Sequence, residues 1–400
     1  MTALPDPARR VPPVPLLVAF SVLGPVTIHM VLPALPFLQH EFGTDYATVQ
    51  LLISAFVLAF GGGQVLVGPL ADLYGRRLVL CGGMALFTLA SVLCALAPNV
   101  QALIALRALQ GLAACTGTVL SRAIIREYWE LPTSTRILGY LAMGISIGPI
   151  IAPTAGGLLF QAAGWRMPFW TLAVLGLANT ALALALVPRQ KGSGGGDGLR
   201  RLAQDIRRLL RERSFLAAWL TVSFNAGCVF TFIANASLIS NMVLDLSPTA
   251  FGAWFGLGAV GYISGNFVAG RISRLGETSV LAIGAILVAV AALAMAAVLG
   301  LGLFRPLPIF GLFSFIMAAS GLVMPNAFAA SMAAVPAAAG SASGFVGFAQ
   351  YVVGAVFAAL ASYLVESHHA PVFLGAVMVT SALCGLAVAL WMLRHAARRA

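Results

Sequence analysis

Twelve long apolar stretches run through this chain of 400 residues and constrain its fold more than any other feature. Their approximate limits are 14–37, 47–70, 78–97, 100–124, 136–161, 166–187, 214–240, 248–270, 278–301, 306–328, 340–364 and 371–393. A helix of about 20 apolar residues crosses the hydrocarbon core of a bilayer. Because 60% of the residues are hydrophobic and only 9% are charged, a water-soluble fold would lack polar surface. The sequence therefore predicts an all-α membrane protein with twelve transmembrane helices, and disfavours a soluble enzyme or a secreted disulfide scaffold.

Basic residues predict the orientation of these helices. If the N-terminus is cytoplasmic, twenty Lys and Arg residues lie on the cytoplasmic side, and only Arg166 and Arg305 lie outside. Cytoplasmic loops are enriched in positive residues. We therefore predict that both termini are cytoplasmic. Because the basic residues are spread over many loops, the net charge of +11 does not indicate a nucleic-acid partner.

A basic linker divides the chain into two similar parts. We predict an N-terminal tail (1–13), a six-helix bundle (14–187), a linker (188–213), a second six-helix bundle (214–393) and a C-terminal tail (394–400). Gly192–Gly198 has the composition of a flexible coil, and the leucines and arginines that follow have the spacing of a basic amphipathic helix. We interpret this helix as a topology anchor, with a regulatory or partner-binding role as the alternative. Two repeats of six helices are typical of transporters that bind substrate near the membrane midplane.

The predicted loop between spans 2 and 3 reads GPLADLYGRR, from Gly68 to Arg77. Glycine permits a close helix approach and a tight turn. Asp72, at the end of span 2, is placed to accept hydrogen bonds from Arg76 or from the N-terminus of another helix, such as the one that begins near Ser341. The alternative is that Asp72, Arg76 and Arg77 are ordinary interfacial charges.

Span 4 contains Arg107, followed by Gln110 within the same turn. A guanidinium inside a bilayer is costly and usually functional. The alternative is an arginine that backbone carbonyls satisfy and that only holds helices together.

Span 5 is unusually rich in glycine and proline. Such residues produce kinks and close helix crossings, so generic packing is the alternative to a functional motif. The residues concerned are Gly144, Gly148, Pro149, Pro153, Gly156 and Gly157.

Together these motifs resemble those of the major facilitator superfamily. The GPLADLYGRR loop is similar to its cytoplasmic gating motif, where Gly68, Asp72, Gly75, Arg76 and Arg77 match. The LRALQG run of span 4 is similar to its membrane-embedded arginine motif, and span 5 to the antiporter motif of its drug-efflux branch, with Ala152 in place of a glycine. The run LPALP at 32–36 and the runs RAIIR, GWR, LSP, MPNA and GSAS resemble the Bcr/CflA-type branch, named for bicyclomycin and chloramphenicol resistance. The resemblance implies a monomeric drug:proton antiporter of the bacterial inner membrane.

One position departs from the branch pattern. Its members usually carry an aspartate before the span 1 proline motif, and this chain has His29 there, followed by Met30. All twelve Asp and Glu residues fall in tails, loops or span ends. His29 and Arg107 are at similar predicted depths, so they can face each other if spans 1 and 4 line the same half, as the resemblance implies. Burial and the nearby positive charge both disfavour the imidazolium, so we expect His29 to be mostly neutral at pH 7. Proton carriage, substrate contact and packing all remain open for His29.

The predicted substrate and proton site is therefore His29, Met30, Arg107 and Gln110, with Asn225 and Asn235 from the second bundle. Loss of the acid makes neutral or anionic substrates more plausible than cationic ones. The predicted function is proton-coupled export of drug-like molecules by alternating access. The alternatives are a carrier for an anionic or neutral metabolite and a weakly coupled exporter. The five cysteines stand singly and no ligand spacing occurs, so we predict no metal, no cofactor and no enzymatic activity.

Overall fold

Fourteen α-helices follow one another in the computed structural model, which describes residues 12–188, 198–335, 339–368 and 371–397. The first half has α1 (Val14–Val31), α2 (Leu35–Glu41), α3 (Tyr46–Tyr74), α4 (Arg76–Ala95), α5 (Val100–Tyr128), α6 (Leu131–Ala163) and α7 (Met167–Leu186). After α8 (Gly198–Leu209), the second half has α9 (Arg213–Val243), α10 (Pro248–Arg271), α11 (Glu277–Gly300), α12 (Pro306–Ala334), α13 (Ala339–His368) and α14 (Val372–Ala397). The described residues contain no β-strand.

Each predicted apolar segment coincides with one long helix. The first is a composite rod, because a short 3₁₀ turn at Leu32–Ala34 joins α1 to α2. Among the described residues, ten helical stretches are long and apolar enough to cross a membrane. They are Val14–Glu41, Tyr46–Tyr74, Arg76–Ala95, Val100–Tyr128, Met167–Leu186, Arg213–Asn241, Glu277–Gly300, Pro306–Ala334, Gly344–Val365 and Val372–His395. The crossing of α6 and α10 and the cytoplasmic position of the termini stay predictions.

Polar caps and one tight turn fix where the helices begin. The side chains of Asp45, Asn99 and Ser247 accept backbone N–H bonds at the starts of α3, α5 and α10. These bonds satisfy N–H groups that have no partner inside the helix. Between α3 and α4 the chain reverses at Gly75 alone, whose φ of 91° favours glycine. The helices therefore stack side by side with short connections.

The two halves repeat one packing pattern. In the first half, α3 (the second membrane segment) packs on α5 (the fourth). Likewise α1 (the first) packs on α6 (the fifth), and α4 (the third) packs on α7 (the sixth). The second half has the same pairs: α10 on α12, α9 on α13 and α11 on α14. The six-helix repeat suggested by the sequence is therefore also a repeat of contacts.

The halves meet along two equivalent helix pairs, which we call the seam. In each pair the second segment of one half packs on the fifth segment of the other, as α3 on α13 and α10 on α6. We call the end of the bundle that carries Arg76, Arg77 and α8 the basic end, and the end that carries Asp45 and Trp165 the distal end. The close contacts of α6 with α10 include that of Gly157 with Pro248, near the distal end, whereas those of α3 with α13 include that of Gly61 with Tyr351, near the middle of both helices.

Helix α8 lies across the seam at the basic end, where it contacts both α3 and α13. The hydroxyl of Ser341, in the first turn of α13, donates a 2.7 Å hydrogen bond to the carboxylate of Asp205 on α8. Leu209 is fully buried in an apolar cluster with Phe215 and Val346. The flexible coil predicted at Gly192–Gly198 lies outside the described residues except for Gly198, where α8 begins.

Candidate functional site

Glycines bring the two halves into backbone contact at the seam. A methyl group added to Gly157 on α6 would lie 2.6 Å from the carbonyl oxygen of Pro248 on α10. On the other helix pair, a methyl group on Gly61 would lie 2.8 Å from the Cβ atom of Tyr351. Contacts this close require glycine, so these positions set the fit of one half on the other.

The span 5 motif lies on α6 and faces two neighbours. Gly144 and Gly148 pack against Val18 and Val26 of α1, and Gly156 lies against the carbonyl oxygen of Met30. Pro149 and Pro153 stand inside the continuous helix, and Gly252 of α10 packs on the backbone of Pro153 and Thr154. The motif thus serves packing within the first half and also reaches the seam through Gly157.

His29 is buried on the side of α1 that turns towards the second half. Its side chain is 7% exposed, its ring centroid lies 5.6 Å from that of Phe255 on α10, and its Nδ1 atom has no hydrogen-bond partner. Met30 is buried beside it. An imidazole with an unpartnered Nδ1 atom therefore lies on an aromatic ring of the other half, where the two halves meet.

Arg107 lies inside the first half instead. It is fully buried, its Nε atom donates to the carbonyl oxygen of Leu52 at 3.2 Å, and its guanidinium lies 4.4 Å from the ring centre of Phe56. One terminal nitrogen donates to the side-chain oxygen of Gln110 at 2.6 Å, while the other has no partner. Gln110 in turn donates to Ser91 on α4 at 2.7 Å. The arginine therefore holds α3, α4 and α5 together.

The structure does not bring His29 and Arg107 together. Hydrogen bonds from Thr118 to Ser21 and from Ser121 to Leu17 fix an antiparallel register of α1 and α5, which puts both residues at similar depth. Their side chains nevertheless share no contact, because Arg107 points towards α3 and α4 while His29 points towards α10. The depth expected from the sequence is reproduced, whereas the expected facing of the two side chains does not occur in this conformation.

The two asparagines predicted for the site bond mainly within the second half. The Nδ2 atom of Asn235 on α9 donates to the carbonyl oxygen of Thr231, and its Oδ1 atom accepts from Ser362 on α13 at 2.9 Å. Asn225 accepts from Ser320 on α12 at 3.1 Å and keeps an unpartnered Nδ2 atom. Both residues connect helices, and Asn225 retains a free donor.

The gating motif fastens the basic end of the first half. Arg76 donates to the carbonyl oxygen of Ala123 at 2.8 Å and pairs with Glu127, and Arg77 donates to the carbonyl oxygen of Leu184. Gly68 has open space beside it, and Asp72 is exposed in the last turn of α3. The hydroxyl of Ser341, in the first turn of the helix considered as a partner of Asp72, binds Asp205. The motif thus joins α4 to α5 and α7.

Two buried polar residues of α3 were missed by the sequence analysis. Gln50 is 1% exposed and neither of its side-chain polar atoms has a partner, and Ser54 is 5% exposed with an unpartnered hydroxyl. The sequence contains a signal for them: Tyr46, Gln50 and Ser54 follow one another at intervals of one helical turn, so they lie on one face of the helix.

Two cavities border this arrangement. A cleft of about 240 Å³ at the distal end lies between the halves, and its lining includes Phe37, Phe160, Ser240 and Phe251. A groove of about 700 Å³ beside α8 is lined by Arg207, Arg208 and Arg211 and by the end of α12. Neither contains His29 or Arg107.

Comparison with known proteins decides the family. The family model described as Major Facilitator Superfamily matches residues 17–359. The chain belongs to the major facilitator superfamily. Members of this superfamily are transporters, so the protein is a transporter and not an enzyme. The fold agrees: a peptide transporter POT structure superimposes with a TM-score of 0.77 at 14% identity, over 96% of this chain and 94% of that one.

Relatives of this superfamily transporter identify its branch. The MFS-type transporter YdgK of Bacillus subtilis is 32% identical over 92% of both chains. A bicyclomycin resistance protein homolog of Haemophilus influenzae is 25% identical over 91% of this chain and 92% of its own. A chloramphenicol resistance protein of Pseudomonas aeruginosa is 30% identical over 67% of this chain and 64% of its own. The protein is thus a Bcr/CflA-type member of the superfamily, embedded in the bacterial inner membrane.

Proposed function

We propose that this protein exports drug-like small molecules by alternating access, in antiport with protons. The moving bodies are residues 14–187 and 214–393, joined by the linker 188–213. The protein works as a monomer, since each chain contains both halves of the pathway. Both termini lie in the cytoplasm, so the basic end faces the cytoplasm and the distal end faces outward.

The symmetry of the seam is the observation that carries this proposal. The close contacts described for α6 with α10 lie near the distal end, and those described for α3 with α13 lie from the middle of these helices towards the basic end. A rocking motion of one half on the other would open one pair while it keeps the other closed. Backbone contacts at Gly157 and Gly61 suit such a motion, because a glycine surface separates without withdrawing interlocked side chains.

The side chains at the seam favour uncharged substrates. The seam groups described above are aromatic or neutral and polar, the one charged group near them is the guanidinium of Arg122 beside Tyr351, and every Asp and Glu of the chain lies in a tail, a loop or a span end. A cationic drug would therefore find no counter-charge within the membrane. The relatives named for bicyclomycin and chloramphenicol resistance support a neutral drug as substrate.

His29 is our candidate for the proton carrier. It is the histidine that lies deep in a predicted span, and its Nδ1 atom has no partner. Opening the α1 and α10 contact at Phe255 would admit water, and imidazole titrates in the physiological range when solvated. Closure would return the ring to an apolar environment and release the proton. Packing on Phe255, with coupling through Asp72 or with weak coupling, is the alternative.

Growth and proton flux test the proposal together. A pump-deficient bacterium that expresses the chain should resist chloramphenicol, and proteoliposomes should release protons when the drug is added. His29→Ala should abolish the drug-driven proton release. Thr27→Ala is the matched control on the same helix, since the Thr27 hydroxyl bonds only to its own helix at Leu23. Unchanged proton release in His29→Ala would exclude His29 as the carrier.

The second candidate is a carrier for an anionic or neutral metabolite. The absence of an acid from the span interiors favours it, because the usual partner of a cationic drug is missing. Uptake of labelled metabolites without any growth protection would support this candidate over drug export.

A further inference from the structure

We propose that Gln50 and Ser54 form a substrate subsite on α3 that binds the hydrogen-bonding groups of a neutral ligand and couples ligand binding to closure of the seam. This inference rests on the proposed export function and extends it to the substrate class. Two observations carry it: the position at which α3 meets the second half, and the buried polar atoms of α3 that have no partner.

One face of α3 is turned towards the second half. At its distal end the Tyr46 hydroxyl donates to the carbonyl oxygen of Ala234 on α9, at 3.3 Å. Towards the basic end, Gly61 and Gln64 pack on Tyr351 and Gly347 of α13. At 3.6 residues per turn, these three residues of α3 lie within a sector of about 60°.

Gln50 lies within this sector and Ser54 lies about 20° beyond its edge, and along the helix both lie between the two points of contact. Gln50 is one turn beyond Tyr46, and Ser54 is one turn beyond Gln50. Leu52 and Phe56, which contact Arg107, lie on the side of α3 that packs within the first half. Gln50 and Ser54 therefore face the groove between α9 and α13 rather than the interior of their own half.

The polar groups of α13 at the level of Ser54 bond within the second half. The antiparallel register of α3 and α13 puts Ser54 near the level of Ala358, whose carbonyl oxygen accepts from Asn235 at 3.4 Å. The Ser362 hydroxyl, one turn further on, bonds to Asn235 and to Ala358. These atoms of Asn235, Ala358 and Ser362 are therefore used within the second half, and the α3 pair is left unsatisfied.

Buried polar groups in proteins are almost always hydrogen-bonded, so three unpartnered atoms on one face require a reason. An empty transporter that closes over Gln50 and Ser54 removes them from water and gives them nothing in return. A ligand that supplies donors and acceptors removes this penalty, so it favours the closed state over the open one. The amide both donates and accepts and carries no charge, so it suits hydroxyl and amide groups of a neutral compound.

The test combines Gln50→Leu and Ser54→Ala with a matched control, Asn266→Leu. Asn266 is also an amide in a membrane helix, but its Nδ2 atom bonds its own helix at the Tyr262 carbonyl, at 2.8 Å. The probes are chloramphenicol, which is neutral and carries hydroxyl and amide groups, and ethidium, a hydrophobic cation. The readouts are protection by the expressed chain, binding of chloramphenicol to the purified protein, and thermal unfolding of the empty protein.

We expect Gln50→Leu to weaken chloramphenicol binding by about tenfold, as the loss of a hydrogen bond in a buried site would. Ser54→Ala should weaken it by a smaller factor, and Asn266→Leu should leave it unchanged. The empty Gln50→Leu protein should unfold at the same temperature as wild type or higher, because the amide has no partner to lose.

Two results would overturn the inference: wild-type chloramphenicol binding in the double variant Gln50→Leu, Ser54→Ala, or a lowered unfolding temperature of empty Gln50→Leu, which would indicate a structural role. If the wild-type chain neither protects against nor binds any of the probes, the proposed function itself fails. A failure of the subsite alone is a different result, because it can be observed only when the wild-type protein binds chloramphenicol.

Discussion

The guanidinium of Arg107 donates a 2.6 Å hydrogen bond to the side-chain oxygen of Gln110, and both residues are fully buried among α3, α4 and α5. This pair lies within one half of the transporter, away from the seam. An arginine in this position holds the helices of one half together and does not need to contact the substrate.

Replacing Gln110 should therefore destabilise the protein. We expect Gln110→Leu to lower the free energy of unfolding by about 2 kcal/mol, because a buried charged donor loses its acceptor. Thermal unfolding in detergent measures this. Arg107→Lys should also destabilise, since an ammonium cannot reproduce the fork that reaches both Leu52 and Gln110. Normal stability of both variants, together with lost binding of an anionic compound, would instead make Arg107 a substrate ligand.

Gly157 should be essential for closure at the distal end. In Gly157→Ala the new methyl group would meet the Pro248 carbonyl oxygen at 2.6 Å, so the α6 and α10 contact cannot form as it does here. We expect at least a tenfold loss of drug export with little loss of folded protein, because the halves can separate to relieve the clash. Gly62→Ala is the control, since nothing lies within 4 Å of a methyl group there. Full export by Gly157→Ala would show that this contact is not part of the cycle.

The bond between Asp205 and Ser341 should hold α8 on the basic end. Asp205→Asn or Ser341→Ala should weaken the docking of α8 by about 1 kcal/mol, since one partner of the bond is charged and the site is half-buried. Hydrogen exchange of residues 198–209 should then be about fivefold faster. The double variant should exchange no faster than either single variant. Gln204→Ala, a neighbouring change outside this bond, should leave the exchange rate unaltered. Equal effects of Asp205→Asn, Ser341→Ala and Gln204→Ala would show that this hydrogen bond does not specifically hold α8.

The cap of α3 should give a pH-dependent contribution to stability. Bonds from the Thr48 hydroxyl and backbone N–H lower the pKa of the Asp45 carboxyl in the folded protein. Its stabilising effect is therefore complete above the unfolded pKa of about 4 and is lost as the pH falls through the folded pKa. Asp45→Ala should cost about 1 kcal/mol at pH 7 and less at pH 3, as unfolding experiments at the two pH values would show. Asp45→Asn should keep the cap without the pH dependence; an equal loss by Asp45→Ala at both pH values would contradict this account.

The fold could be predicted from the sequence because a membrane helix needs a long apolar run, and each run is visible by itself. The twelve predicted segments coincide with long helices to within a few residues. The pairing of α3 with α13 and of α6 with α10 was not predicted. It depends on which face each helix presents, and nearly uniform apolar helices leave that face undefined.

The candidate site was predictable only in part, because the sequence does not define which face each apolar helix presents to its neighbours. The sequence gives the depth of His29 and Arg107 along their helices, and the structure keeps both at similar depth. The rotation of α5 about its axis is set by packing of Gly111 on the Phe56 backbone and by the bond from Gln110 to Ser91, which no single-sequence pattern specifies. Gln50 and Ser54, by contrast, could have been found, since they continue a one-turn spacing that begins at Tyr46.

A reversible lock across the seam is the most direct test of alternating access. Thr249 and Gln161 join α10 to α6 through a 2.8 Å side-chain hydrogen bond at the distal end, so cysteines at both positions can be bridged by a cleavable thiol reagent. Exposed Cys384 is first replaced by alanine. The control pair, Glu41→Cys with Arg166→Cys, bridges two residues of the same half whose charged groups lie 4.0 Å apart. If the halves must separate at the seam during transport, the seam bridge stops drug export, reduction restores it, and the control bridge has no effect. Export at the wild-type rate with the seam bridged would contradict this requirement.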